Sequence, residues 1–83
     1  MTNTAVKSKL DVMIAELAQD LREHVAKIEK KPATTQNHYG DYLGLIGSVA
    51  NGNKNVAKIV VSALLEAGAN HTGVAAAYKI MVG

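Results

Sequence analysis

The sequence contains no cysteine, no long apolar run and no cluster of basic residues, and each absence excludes a class of protein. Without cysteine, the 83 residues cannot form disulfides or thiolate metal sites. The longest uncharged stretches, residues 42–53 and 67–78, contain Gly and Asn and fall short of the ~20 apolar residues that span a bilayer. The first residues are polar and show no secretory signal. We therefore expect a cytoplasmic protein with no membrane partner.

Basic side chains are too dispersed to suggest a nucleic-acid-binding face. Such a face concentrates Lys and Arg on one side of a domain. Here the net charge is only +2, and Lys30 and Lys31 form the one adjacent basic pair. Nucleic acid is therefore not the expected partner.

The charges that are present crowd into the first third of the chain. Residues 1–31 hold 11 of the 16 charged side chains, and the remainder is mostly small, apolar or amide residues. A chain this short buries only ~60–65% of its unfolded surface when it folds alone. So much weakly polar sequence is hard to cover within one small monomer. We therefore expect a homo-oligomer, a protein partner, or both.

Apolar spacing predicts an all-α fold, a compact bundle of about four helices forming one domain over residues 1–83. The first helix is predicted over 4–31, and Pro32 ends it because the residue before a proline avoids the α region. One seam of this helix is expected to be buried, since its members follow a 4-3-4-3-4 spacing. Those members are Leu10, Ile14, Leu17, Leu21, His24 and Ile28.

Three shorter helices follow, separated by Asn- and Gly-containing junctions. The second is predicted over 39–50, the third over 55–67, and the fourth from a cap at Asn70 or Thr72 to about 81. Gly40, Gly44 and Ser48 lie four apart on the second helix, a strip that favours close approach of another helix. The third helix has one narrow polar stripe, so it is expected to be central.

The main functional hypothesis is a small non-enzymatic protein that binds through an apolar helical surface, of the kind that serves as an inhibitor or adaptor. The fourth helix carries a single charge, and its apolar end predicts an interface. The residues expected to form the oligomer or partner interface are Leu10, Leu17, Leu21, His24, Gly44, Tyr78 and Met81.

A first alternative is an oligomer that binds a nucleotide or another phosphate ligand at helix N-termini. Free backbone N–H groups at such ends receive anions, and the two junctions before the third and fourth helices offer small polar residues and two lysines. The candidate contacts are Asn53, Lys54, Lys58, Asn70, His71 and Thr72. No Walker-type loop supports this hypothesis.

A second alternative is a DNA-binding helix-turn-helix over residues 58–81. Gly68 would be the turn glycine and Val74 the buried residue of the second helix, but Leu64 stands where a small residue is usual. The proposed recognition helix offers few groups that read bases. Its outward residues would be His71, Thr72, Ala75, Ala76 and Lys79.

Metal binding and catalysis have little support. His24, His38 and His71 are far apart, and none has another histidine three or four residues away. The serines lack a recognisable nucleophile context. We expect no metal, no cofactor and no enzymatic activity.

Overall fold

The computed structural model describes residues 8–32 and 38–83, and every regular element within these ranges is an α-helix. The helices are α1 (Lys9–Lys30), α2 (Tyr39–Ala50), α3 (Lys54–Glu66) and α4 (His71–Val82). The predicted all-α fold with about four helices is confirmed. Residues 4–7 of the predicted first helix lie outside the described residues, as do residues 33–37 between the predicted first and second helices.

Local capping fixes where the helices begin. The Ser8 hydroxyl accepts a hydrogen bond from the backbone N–H of Asp11 (3.1 Å), which starts α1. The Asn53 side chain accepts from two backbone N–H groups of α3, and the Asn70 side chain accepts from the N–H of Gly73 (3.1 Å) in α4. Asparagine is among the best N-cap residues. With Asn53 as its cap, α3 begins one residue earlier than predicted. The observed bounds of α2 are the predicted ones.

The helices end for equally local reasons. Lys31 has an extended backbone (ψ 150°) immediately before Pro32, which stops α1 as the sequence predicts. Gly68 adopts φ +102° after α3, and Asn51 and Gly52 take positive φ after α2. These are conformations that Gly and Asn adopt with least strain.

The helix α3 is central, as predicted. It contacts α1, α2 and α4, while α2 also packs along α4. Its polar stripe faces solvent, with Lys54, Lys58, Ser62 and Glu66 all exposed, and Leu65 beside it is 36% exposed. The largest fully buried side chains come from the last three helices: Tyr42, Ile46, Val60, Leu64 and Val74.

The buried stripe of α1 differs from the predicted seam. Its buried residues are Ala18, Leu21, Val25 and Ile28. At 3.6 residues per turn this stripe is rotated by about 40° from the predicted one. His24 is consequently exposed, and Leu10 is 48% exposed, so the single chain does not bury the whole seam.

The small-residue strip of α2 lies on the open surface of the described structure. No atom outside the local backbone lies within 4 Å of a Cβ built at Gly40 or Gly44, so no described helix of the same chain approaches there, and contact with a partner stays a prediction. The close contact is instead at Gly47, where a Cβ would lie 3.4 Å from the terminal methyl of Met81. The short side chain at position 47 therefore helps α4 to approach α2.

Candidate functional site

A mainly apolar concave surface lies between α1 and α3. It has a volume of about 310 Å³, and Met13, Leu17, Val56 and Ile59 provide its apolar lining. Met13 is 52% exposed, whereas the other three are half-buried. We call this surface the α1–α3 groove. A groove with this lining leaves apolar area in contact with water, which a second helix would cover.

The edge of the α1–α3 groove is acidic. Glu16 and Asp20 complete its lining, and both belong to the exposed side of α1. Neither Lys nor Arg is among the residues that line it. Its preferred occupant therefore presents apolar side chains next to a positive charge.

A second groove, on the other side of α1, is more polar. It has a volume of about 330 Å³ and is lined by Asp11, Ile14, Ala15, Ser62 and Glu66. Its lining includes two carboxylates and a hydroxyl but no cation that would attract an anion. It also presents little apolar area that a helix could cover. Together the two grooves show that α1 and α3 run antiparallel, because Leu17 lies near Val56 and Ile14 lies near Ser62.

The four predicted interface residues of α1 have different environments. Leu10 is exposed near the N-terminal end of the helix, and Leu17 lines the α1–α3 groove. His24 is exposed two turns further on. Leu21 is only 5% exposed and belongs to the core of the monomer, so a direct interface role for it is corrected to a core role. Met13, Val56 and Ile59 were not among the predicted interface residues. The i, i+3 spacing of Leu10 and Met13 is a signal for Met13, whereas the two α3 residues had none.

The predicted residues on α2 and α4 do not form one surface with the groove. Gly44 is exposed, while Tyr78 and Met81 are half-buried against the core. Met81 also lines a small hollow of about 130 Å³ beside the start of α3. Next to it, Ile80 is 53% exposed. The end of α4 is thus partly core and partly surface, rather than an open interface.

The helix N-termini proposed for anion binding already have internal acceptors. The side-chain amide oxygen of Asn53 accepts from the backbone N–H groups of Asn55 (2.9 Å) and Val56 (3.1 Å). At α4, the backbone N–H of Asn70 donates to a Glu29 carboxylate oxygen at 2.9 Å. An incoming phosphate would have to displace an amide oxygen at one end and face a carboxylate at the other.

The remaining anion candidates are exposed side chains. Lys54, Lys58, His71 and Thr72 all lie on the surface, and none of them lines the α1–α3 groove. Lys54 lines the hollow of about 130 Å³ at the start of α3 together with Asn53, whereas Lys58, His71 and Thr72 are exposed residues that do not line it.

Glu29 joins three helices at one end of the bundle. Its Oε2 atom accepts hydrogen bonds from the hydroxyl of Tyr42 in α2 and from the backbone N–H of Asn70, the cap of α4. Burial, reinforced by this hydrogen bond and the negative charge of Glu29, raises the pKa of the Tyr42 phenol well above its usual value. Nearby on the surface, Lys31 and Asp41 form an ion pair at 3.4 Å. This cluster is structural, since the Tyr42 side chain is buried and unavailable to a ligand.

The α3–turn–α4 unit meets part of the helix-turn-helix requirement. Gly68 has the left-handed conformation of a turn glycine, and Val74 is buried. Leu64, a large residue, is buried at the position where close helices need a small one. On the outward face of α4, Lys79 is the one cation. The surface therefore lacks the charge that DNA backbone contacts need.

No described group of three or more His, Asp or Glu side chains is arranged to hold a metal ion. His38 is buried at the start of α2, while His24 and His71 are exposed on different helices. Among the described helices, none has the combination of length and apolar character needed to cross a membrane. Comparison with protein-family profiles, curated proteins and solved structures gives no match.

Proposed function

We propose that this chain is a non-enzymatic binding protein of the inhibitor or adaptor kind, and that it acts by receiving a helix in the α1–α3 groove. The observation that carries the proposal is the exposure of Met13 beside Leu17, Val56 and Ile59 on one concave surface. Apolar area of this kind is stabilised when another apolar surface covers it.

The geometry of the groove favours a helical occupant. Two antiparallel helices, α1 and α3, form its walls, and helices pack by inserting side chains of one into the spaces of another. The carboxylates of Glu16 and Asp20 at its edge give the site a charge preference. These features support recognition by shape and charge and include no group placed for chemistry.

Neither alternative has comparable support. A nucleotide ligand would compete with the Asn53 and Glu29 oxygens for the N–H groups at the two helix ends. A DNA-binding role would depend on Lys79 as the cation of the α4 face. We therefore place the working surface on α1 and α3.

Photocrosslinking tests the proposed function. A photoreactive residue at Met13 is expected to give discrete adducts with another polypeptide in cells that produce the protein. The matched control is Gln19, which is exposed on the same helix but does not line the groove. Adducts at both positions alike, or at neither, would show that the groove is not a polypeptide-binding surface.

A further inference from the structure

We infer that the occupant of the α1–α3 groove is α1 of a second copy of this chain, running antiparallel, with Met13 of each copy beside the partner's Leu17 and Lys9 beside the partner's Asp20. The inference rests on the proposed function and names the binding partner of the same surface. It concerns a face of α1 and α3 that residues 8–32 and 38–83 leave uncovered.

The shape of this face is self-complementary. Leu10 and Met13 are 48% and 52% exposed near the N-terminal end of α1, whereas Leu17 is recessed in the groove one turn further along. A two-fold interface requires a projection and its recess on the same surface. Rotation about a point midway between Met13 and Leu17 brings the projection of each copy to the recess of the other. The contact between Met13 of one copy and Leu17 of the other is therefore formed twice.

The charges fix the direction of this pairing. An α-helix rises 1.5 Å per residue, so Lys9 lies ~9 Å before the midpoint and Asp20 lies ~7.5 Å after it. In the antiparallel arrangement Lys9 comes level with the partner's Asp20, within ~1.5 Å along the axis. Each copy thus supplies the cation that the acidic edge of the other groove lacks. A parallel arrangement would place each of these residues level with the same residue of the partner and repel it.

The expected affinity is modest. The paired face extends from Leu10 to Asp20, about 15 Å of helix, which corresponds to the small end of specific interfaces. Glu16 also approaches the partner's Glu16 near the two-fold axis and weakens the contact. We therefore expect a monomer–dimer equilibrium in the micromolar range.

Sedimentation equilibrium of the purified chain across the micromolar range tests the inference. The unmodified chain is expected to form dimers. Lys9→Glu or Asp20→Lys alone is expected to weaken association about tenfold, because each places two like-charge pairs in the interface. Arg22→Glu is the control for Lys9→Glu, since it makes the same charge change on an exposed residue outside the groove.

Charge exchange then separates the antiparallel dimer from any other arrangement. The double variant Lys9→Glu/Asp20→Lys is expected to recover the unmodified affinity, and an equimolar mixture of the two single variants is expected to form heterodimers. Helicity measured by circular dichroism checks that each variant is folded. Monomers at every concentration, unaltered association of both single variants, or an unrestored double variant would overturn the inference.

Failure of the inferred dimer can be distinguished from failure of the proposed function. If the unmodified chain is monomeric but Met13 crosslinks to a different polypeptide, the groove binds a partner and the second copy is wrong. An adduct of about twice the 8.7 kDa of one chain supports both proposals. Absence of any Met13-specific adduct removes both.

Discussion

Replacing Glu29 with alanine is expected to destabilise the protein more than its surface position suggests. One oxygen of this carboxylate accepts from the Tyr42 hydroxyl and from the Asn70 backbone N–H. Tyr42 is 0% exposed, so water cannot readily replace the lost acceptor. An unsatisfied buried donor costs ~1–3 kcal/mol, and the Asn70 hydrogen bond contributes about 1 kcal/mol more. The free energy of unfolding should fall by about 2–4 kcal/mol.

A double-mutant cycle isolates the Tyr42 contribution. In a chain of this size the expected loss lowers Tm by roughly 10–20 °C, measured by circular dichroism or calorimetry. With Tyr42→Phe in the background no hydroxyl is left unsatisfied, so Glu29→Ala should then cost only about 1 kcal/mol. Glu29→Gln, which retains an acceptor oxygen, is the matched control. If Glu29→Ala costs the same with Tyr or Phe at position 42, the hydrogen bond does not stabilise the fold.

The same hydroxyl makes stability depend on alkaline pH. The folded state raises the pKa of Tyr42, whereas the unfolded chain releases that proton at the ordinary phenol value near ~10. Above about pH 10 the unfolded state therefore binds fewer protons than the folded state, and stability declines as pH rises. Tyr42→Phe should flatten this decline in urea titrations carried out from neutral to alkaline pH. An equal slope for both proteins would contradict the assigned environment.

Two further comparisons use matched neighbours. Leu64→Ala removes a core side chain and should cost ~2–5 kcal/mol in urea unfolding, whereas Leu65→Ala, at a 36% exposed position, should cost under ~1 kcal/mol; equal losses would contradict the orientation of α3. Gly44→Ala should stabilise α2 by ~0.5–1 kcal/mol because a Cβ there meets open space, while Gly68→Ala should destabilise by ~1–3 kcal/mol because φ is +102°. A Gly68→Ala protein as stable as the unmodified chain would rule out the left-handed turn.

Helix boundaries were predictable because their causes are local. Asparagine and glycine at the junctions specify caps and positive φ within one or two residues of each helix end, as at Asn70 and Gly68. Pro32 acts on its immediate neighbour in the same way. Predicting where these helices end therefore needed no information on contacts between residues distant in sequence.

The packing face of α1 was harder to predict because two stripes have the same periodicity. Leu17 and His24 belong to one stripe, while Ala18 and Val25 belong to the other. Large side chains favoured the first stripe in the sequence, but α1 buries the second, with Ala18 at 0% exposure. Because the second stripe is buried, Leu17 lies beside the packing face of α1 and lines the α1–α3 groove.

The Glu29 cluster had no sequence signal. Its hydrogen-bond partners lie 13 and 41 residues away, and no local pattern connects them. No local sequence pattern predicts the groove either, because Met13 and Val56 come together only through the packing of α1 on α3. Sequence periodicity therefore identified candidate apolar residues but could not determine which of them remained at the surface.

The order of contacts along the chain has a consequence for folding. The helices α2, α3 and α4 are consecutive and contact one another, whereas α1 packs mainly along α3 and reaches α2 through Glu29. Local contacts form at a lower loop-closure cost than distant ones. We therefore expect the last three helices to associate first and α1 to dock onto them afterwards. The first helix would then also be the first to detach, exposing the buried Ala18 stripe and its matching face on α3.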